Sequence, residues 1–258
     1  MSSTMLEAFV KKYESRNHKM TIQDIARSAT VTRWHSVNCL RYPSIAEHSY
    51  LVAMYARDIL KRLNPNATIA ERLLLLEFCM FHDLPEVLTG DMATPVKRLL
   101  ESMFEDGESP LDIIEEALCP EYRELKKQIS GTYLAAVAKL ADVLEAVKFI
   151  YVEGKSYIQS NDQNRKIIDV LDNLITLVED NSINCTENLN SAKLMLNEIS
   201  QNENNDSIFK ILTERQTNYL GRIEAAQEKF PEFDWSVAKD VLEDLLYGQT
   251  SQIDFIDM

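Results

Sequence analysis

Apolar residues recur along this chain at the three-and-four spacing of helices, with little strand-like alternation. Ser44-Ile45-Ala46-Glu47 and Thr68-Ile69-Ala70-Glu71 both have capping-box spacing, a hydroxyl followed three residues later by a glutamate. The first box predicts a helix to about Leu63, ahead of Asn64-Pro65. The second starts a run rich in leucine, Leu73-Leu74-Leu75-Leu76-Glu77-Phe78-Cys79-Met80-Phe81, which ends at His82-Asp83, just before Pro85. This run is apolar on most sides, which predicts a central position in a bundle. Thr94-Pro95 predicts another helix start. Residues 105–111 predict a loop, and Tyr133 to Glu153 a long helix closed by Gly154.

Beyond Gly154 the pattern loosens. Residues 160–164 and 201–206 are polar connectors. Between them Ile167, Ile168, Leu171, Leu174, Ile175 and Val178 keep helical spacing, as do Ile208, Ile211, Leu212, Tyr219 and Ile223 later. The last ten residues are expected to be loose. The fold class is therefore all-α, with a core over 1–155 and an acidic helical extension over 156–258 that packs on the core or serves assembly.

Composition narrows the function. Six glycines and seven prolines in 258 residues disfavour a turn-rich β architecture and a glycine-rich phosphate loop. No apolar run reaches transmembrane length, and the first residues do not read as a signal peptide. Four scattered cysteines (Cys39, Cys79, Cys119, Cys185) fit reduced thiols, so a cytoplasmic protein without a membrane partner is expected. The net charge is −14, of which residues 156–258 carry −11. Such a surface repels phosphate backbones and argues against long nucleic acid, while a small phosphorylated ligand still fits a locally positive pocket. The same acidity argues mildly against residues 156–258 contacting a triphosphate.

The chemistry concentrates in few residues. His48 lies in the first turn of its helix, where a lone histidine is ordinarily a surface group. His82 and Asp83 are adjacent, about 100° apart on an ideal helix, so both reach one ion only where the helix ends. Asp142 sits in the apolar stretch Leu140-Ala141-Asp142-Val143-Leu144 and needs a partner if buried. Together these nitrogen and oxygen donors suit one divalent transition metal. Glu86, four residues after His82, is a candidate general acid or base. Arg33 suits a phosphate. Trp34 is read as core or pocket wall, and Asp91 and Thr94 flank the turn after Gly90. His18 and His35 are expected on the surface.

Arg33-Trp34, Glu47-His48-Ser49, the run from His82-Asp83 through Glu86-Val87-Leu88-Thr89-Gly90-Asp91 to Thr94-Pro95-Val96-Lys97, and Lys139-Leu140-Ala141-Asp142 resemble the HD-domain metal phosphohydrolases. The likeness is greatest to the YfbR-like bacterial 5′-deoxynucleotidases and covers roughly residues 24–155. Met92-Ala93 stand where that family more usually has Leu-Pro. The resemblance implies an HD-domain helical bundle with metal (Co²⁺, Mn²⁺ or Zn²⁺) on His48, His82, Asp83 and Asp142. It implies a phosphate oriented by Arg33, a catalytic carboxylate at Glu86, and a sugar facing Trp34, Asp91 and Thr94. The implied activity is phosphate release from deoxynucleoside 5′-monophosphates by a homo-oligomer. The alternatives are a deoxynucleoside triphosphate triphosphohydrolase, a cyclic or signalling nucleotide hydrolase, and a non-catalytic nucleotide-binding module.

Overall fold

In the computed structural model, residues 11, 20–35, 41–102, 109–159 and 206–247 are described. Their order is α1 (Ile22–Arg27), α2 (Ile45–Leu63), α3 (Ile69–Phe81), α4 (Glu86–Thr89), α5 (Thr94–Ser102), α6 (Pro110–Leu118), α7 (Pro120–Ile129), α8 (Tyr133–Gln159), α9 (Asp206–Lys229) and α10 (Val237–Tyr247). The fold is all-α; the described residues contain no strand, only one antiparallel bridge between Thr32 and Ser44. None of their helices is long and apolar enough to cross a membrane. His18, the connectors at 160–164 and 201–205, the apolar positions from Ile167 to Val178 and the last ten residues lie outside the described set.

Both capping boxes form as the spacing requires. Ser44 accepts from the Glu47 amide and Thr68 from the Glu71 amide, while each glutamate accepts from its cap residue in return. A third box, Thr21 with Asp24, opens α1. Two boundaries differ from expectation. Ser109 caps α6, so Pro110 and Leu111 are helical; residues 105–108 of the expected loop are not described. The long helix continues through Gly154 to Gln159, since one glycine costs a helix interior only about 1 kcal/mol.

The expectation that the leucine-rich helix is central does not hold. On α3 only Leu75 and Cys79 are buried, whereas Ile69, Leu73 and Met80 are exposed. The axis of the bundle is α8. Val137, Ala138, Leu140, Ala141, Val143, Leu144, Ala146 and Val147 are all buried, which covers most sides of two turns and more. Alanines at 138, 141 and 146 let neighbouring helices approach closely, and helix spacing depends on such contact residues. Packed on α8 are α2, α9, α10 and part of α3.

Residues 206–247 share this core. Leu212, Tyr219, Ile223, Ala226, Trp235, Ala238 and Val241 are buried in it with Val52, Ile59 and Leu144. Tyr219 Oη donates to the Ala238 carbonyl (2.7 Å) and Trp235 Nε1 to the Phe230 carbonyl (3.0 Å), so the two largest buried rings carry no orphaned donor. A second, smaller cluster of Ile45, Leu84 and Val87, flanked by Met20, Val31 and Phe81, clamps α4 against the start of α2. That clamp fixes where Glu86 points.

If α8 is the axis and α3 the flank, Leu144→Ala costs about 2–5 kcal/mol of unfolding free energy, while Leu73→Ala stays within roughly 1 kcal/mol. Urea unfolding of both variants decides this; equal losses would contradict the assignment.

Candidate metal centre

The end of α3 explains how adjacent residues serve one centre. Past Phe81 the backbone tightens: Leu84 N donates to the Phe81 carbonyl, Glu86 N to Asp83 and Val87 N to Leu84, at 3.0–3.1 Å. His82 folds back so that Nδ1 meets the Cys79 carbonyl at 2.7 Å. This contact sets the tautomer, with the proton on Nδ1 and a lone pair on Nε2. From α2, His48 arrives fully buried, its Nδ1 held at 2.6 Å by the carboxylate of Glu145. The two Nε2 atoms then face each other at 3.2 Å.

Donor atoms of His48, His82 and Asp83 all lie within 4.8 Å of one another. Asp83 Oδ2 is 3.2 Å and Asp142 Oδ1 3.4 Å from His48 Nε2. Asp142 enters from α8, and its second oxygen is held by Lys139 Nζ at 2.6 Å. Two imidazole lone pairs and two carboxylates on one small volume repel one another unless a cation joins them. The set therefore fits a divalent ion: ligand types, convergence and anchored second nitrogens are all present. Burial and Arg33 pull the His48 pKa down, yet hydrogen bonds to Asp142, Asp83 and Glu145 outweigh them and leave it well above the usual histidine value. Surroundings that draw a proton this strongly favour a metal cation as well, and proton and metal compete for the same lone pair.

Arg33 and Glu86 border the centre. The Arg33 guanidinium pairs with Asp83 and lies 3.8 Å from Glu86 Oε2. Glu86, on α4, is 2% exposed, and its Oε1 accepts from Lys97 Nζ at 2.7 Å. Its Oε2 has no hydrogen-bond partner among the described residues, nor does Arg33 Nε. Burial, then the charge of Asp83, push the Glu86 carboxyl up to about 8 against the pull of Lys97 and Arg33. Gly90, at φ +79°, lets the chain turn sharply out of α4 toward Asp91.

Trp34 holds a left-handed backbone, φ +64°, which is uncommon for so bulky a residue. Its amide donates to Asp91 Oδ2 at 3.3 Å, Arg33 N donates to the Pro43 carbonyl, and the ring stacks on Phe149 at 5.5 Å. Strain of this kind concentrates at working sites. His35 is exposed, 3.9 Å from Asp91. Thr94 starts α5, beyond Asp91; its side chain is outside the described set.

Arg33, Trp34, His82, Asp83, Glu86, Asp91, Lys97 and Asp142 line one cleft of about 620 Å³. Sequence reasoning missed several residues of the site and its cleft. Glu145 is legible in hindsight, one helical turn after Asp142. Lys97 stands inside the motif that was read, without a role. Arg215, Asn218 and Arg222 of α9 also line the cleft, contrary to the expectation drawn from the acidity of residues 156–258; no local pattern announces them.

A helical bundle with paired histidines and aspartates at one buried point defines the HD class of hydrolases. The family model described as 5′-deoxynucleotidase YfbR-like matches residues 21–209, and the chain belongs to that family. A dATP triphosphohydrolase of Salmonella phage PMBT28 is 33% identical over 147 residues, 55% of this chain and 72% of that one. Another from Acinetobacter phage SH-Ab 15497 is 31% identical over 184 residues, 68% of this chain and 86% of that one. The 5′-deoxynucleotidase YfbR of Escherichia coli O1:K1 / APEC is 39% identical over 77 residues, 28% of this chain and 37% of that one.

Two outcomes are expected. Glu145→Gln weakens Zn²⁺ or Co²⁺ binding about 10–100-fold, because it loosens the hold on His48. Competition titration reads this, with affinity falling as pH falls; unchanged affinity in the variant removes Glu145 from the site.

The second concerns Glu115, buried on α6, whose carboxyl burial pushes from 4.5 up to about 7. Between those values the folded state binds more protons than the unfolded one, so this group's contribution to stability is lost as pH rises. Glu115→Gln therefore stabilises the protein at pH 8 by roughly 1–3 kcal/mol and changes little near pH 4.5. Urea unfolding at both pH values gives the answer, and an equal effect at the two would refute it.

Proposed function

We propose that this protein hydrolyses the 5′-phosphoester of 2′-deoxynucleotides, with His48, His82, Asp83 and Asp142 holding a divalent metal. The observation that carries the reading is the convergence of His48 Nε2, His82 Nε2 and Asp83 beside Arg33 and the buried acid Glu86. A divalent ion bound there lowers the pKa of water and polarises a phosphoryl oxygen.

The chain supplies the rest. Arg33, anchored by Asp83, turns its donors toward the phosphate and offsets charge as it builds there. Lys97 grips Glu86 by one oxygen and leaves the other toward the cleft. Burial and the charge of Asp83 hold the Glu86 carboxyl above the ordinary carboxylate range, which suits it to give a proton to a leaving oxygen. The water oxygen bonds to phosphorus, the bond from phosphorus to O5′ breaks, and O5′ leaves with its electron pair and the proton of Glu86. The proton of the attacking water restores the acid. Asp91 uses one oxygen for the Trp34 amide, and the other accepts from a 3′-hydroxyl. Trp34, held in its strained backbone, then crowds C2′, so a ribose 2′-hydroxyl meets ring carbon rather than a partner.

The family description supports a 5′-monophosphate, releasing phosphate; the phage relatives support a 5′-triphosphate, releasing triphosphate. The O5′–phosphorus bond breaks in both. The decisive experiment is a product screen of matched deoxy- and ribonucleotides with Mn²⁺, Co²⁺ and Zn²⁺. Deoxynucleoside formation with a metal supports the reading, and absence of turnover with every metal leaves a nucleotide-binding module. In the same assay Glu86→Gln keeps the metal but loses about 10²–10⁴-fold in kcat; near-normal kcat would take Glu86 out of the mechanism.

A further inference from the structure

The number of phosphates is written on α9. The family match ends at residue 209, before the part of this helix that faces the cleft. Phe233, just past α9, stacks on Tyr133 at the start of α8 with ring centroids 4.5 Å apart, whereas Arg215, early in α9, feels the charges of Asp142 and Arg33. The two helices therefore run antiparallel, and α9 crosses the cleft beside the metal centre.

Arg215, Asn218 and Arg222 fall at i, i+3 and i+7, on one helix face, and all line the cleft that holds His82, Asp83 and Asp142. Seven residues of helix span about 10 Å, so the face extends well past a single phosphate. The Arg215 guanidinium lies over the Trp34 ring, 5.5 Å from its centroid, which keeps the side chain in the cleft. Asn218 Oδ1 accepts from Arg222 Nε at 2.9 Å and aims that guanidinium. Glu214, Glu224 and Glu228 of the same helix are exposed, while Arg215 and Arg222 are half-buried. Residues 156–258 contain only three arginines against 19 acids, and two of the three meet here. A solvated helix face would not sort its charges in this way. Burial also holds the Arg215 guanidinium below its ordinary value, against the pull of Asp142.

We propose that Arg215 and Arg222 bind the phosphates beyond the one at the metal centre, which makes a 2′-deoxynucleoside 5′-triphosphate the substrate class. This rests on the phosphohydrolase reading above. Planar guanidinium forks suit the paired oxygens of a polyphosphate chain.

The test uses the full chain with Co²⁺ or Mn²⁺ and compares dATP with dAMP in wild type, Arg215→Gln and Arg222→Gln. The expected result is a fall of about tenfold or more in the triphosphate-to-monophosphate ratio of kcat/KM, carried by KM for the triphosphate, since a charged hydrogen bond is worth that much. An unchanged ratio overturns the proposal, as does a wild type that cleaves the monophosphate alone, which would still leave the phosphohydrolase reading intact. Calorimetric titration of the metal-free protein with inorganic tripolyphosphate decides independently of turnover. Binding that weakens about tenfold in Arg222→Gln, with unaltered thermal unfolding, supports the assignment; equal binding in wild type and variant refutes it even if no substrate is ever turned over.

Discussion

The structure turns on the meeting of two imidazole nitrogens at 3.2 Å with carboxylates on either side. Groups so close attract one another only around a shared proton or a bound cation, and hydrogen bonds hold each of them in place. Glu145 and the Cys79 carbonyl hold the far nitrogens, Lys139 holds the far oxygen of Asp142, and Arg33 takes up Asp83. The four candidate ligands come from three places: His48 from α2, His82 and Asp83 from the end of α3, and Asp142 from α8. Only tight packing of these elements brings the ligands together. Alanines on α8 allow that packing, so core composition and site chemistry are two aspects of one constraint.

What was legible in the sequence was local. Capping boxes at Ser44 and Thr68 marked helix starts correctly because a cap depends on residues three apart. The breakdown of helix geometry at His82-Asp83 was readable from Pro85, for the same reason. Centrality was not readable. A run of leucines is apolar in all directions, but burial takes neighbours in all directions, and α3 has them on one side only. The helix that does have them, α8, intersperses Lys139, Asp142 and Lys148 among its core residues, several of which are alanines, and looks less hydrophobic than it is buried. Likewise Arg215 and Arg222 gave no signal, since the cleft groups they join lie far away in the sequence and a lone arginine on a helix looks solvated.

Trp34 joins the two halves of the cleft. Its backbone is strained, Asp91 and Phe149 hold it on one side, and Arg215 covers the ring from α9. Residues inside the family match and residues of α9 thus meet at one side chain. A substitution there is expected to disturb both contacts.

The charge of the molecule is the remaining tension. A chain of net −14 repels a nucleotide at long range, and steering of the kind that speeds ligand capture is absent. At physiological ionic strength, however, exposed charges fade over about 8 Å. The acids of α9 face solvent and are screened, while Arg33, Lys97, Arg215 and Arg222 sit in a cleft where water is displaced and attraction is less screened. Recognition therefore depends on groups within hydrogen-bonding reach rather than on the field of the whole protein. An acidic exterior and a cleft lined by these four cations are in this way compatible: the first acts at distances that salt screens, the second only on contact.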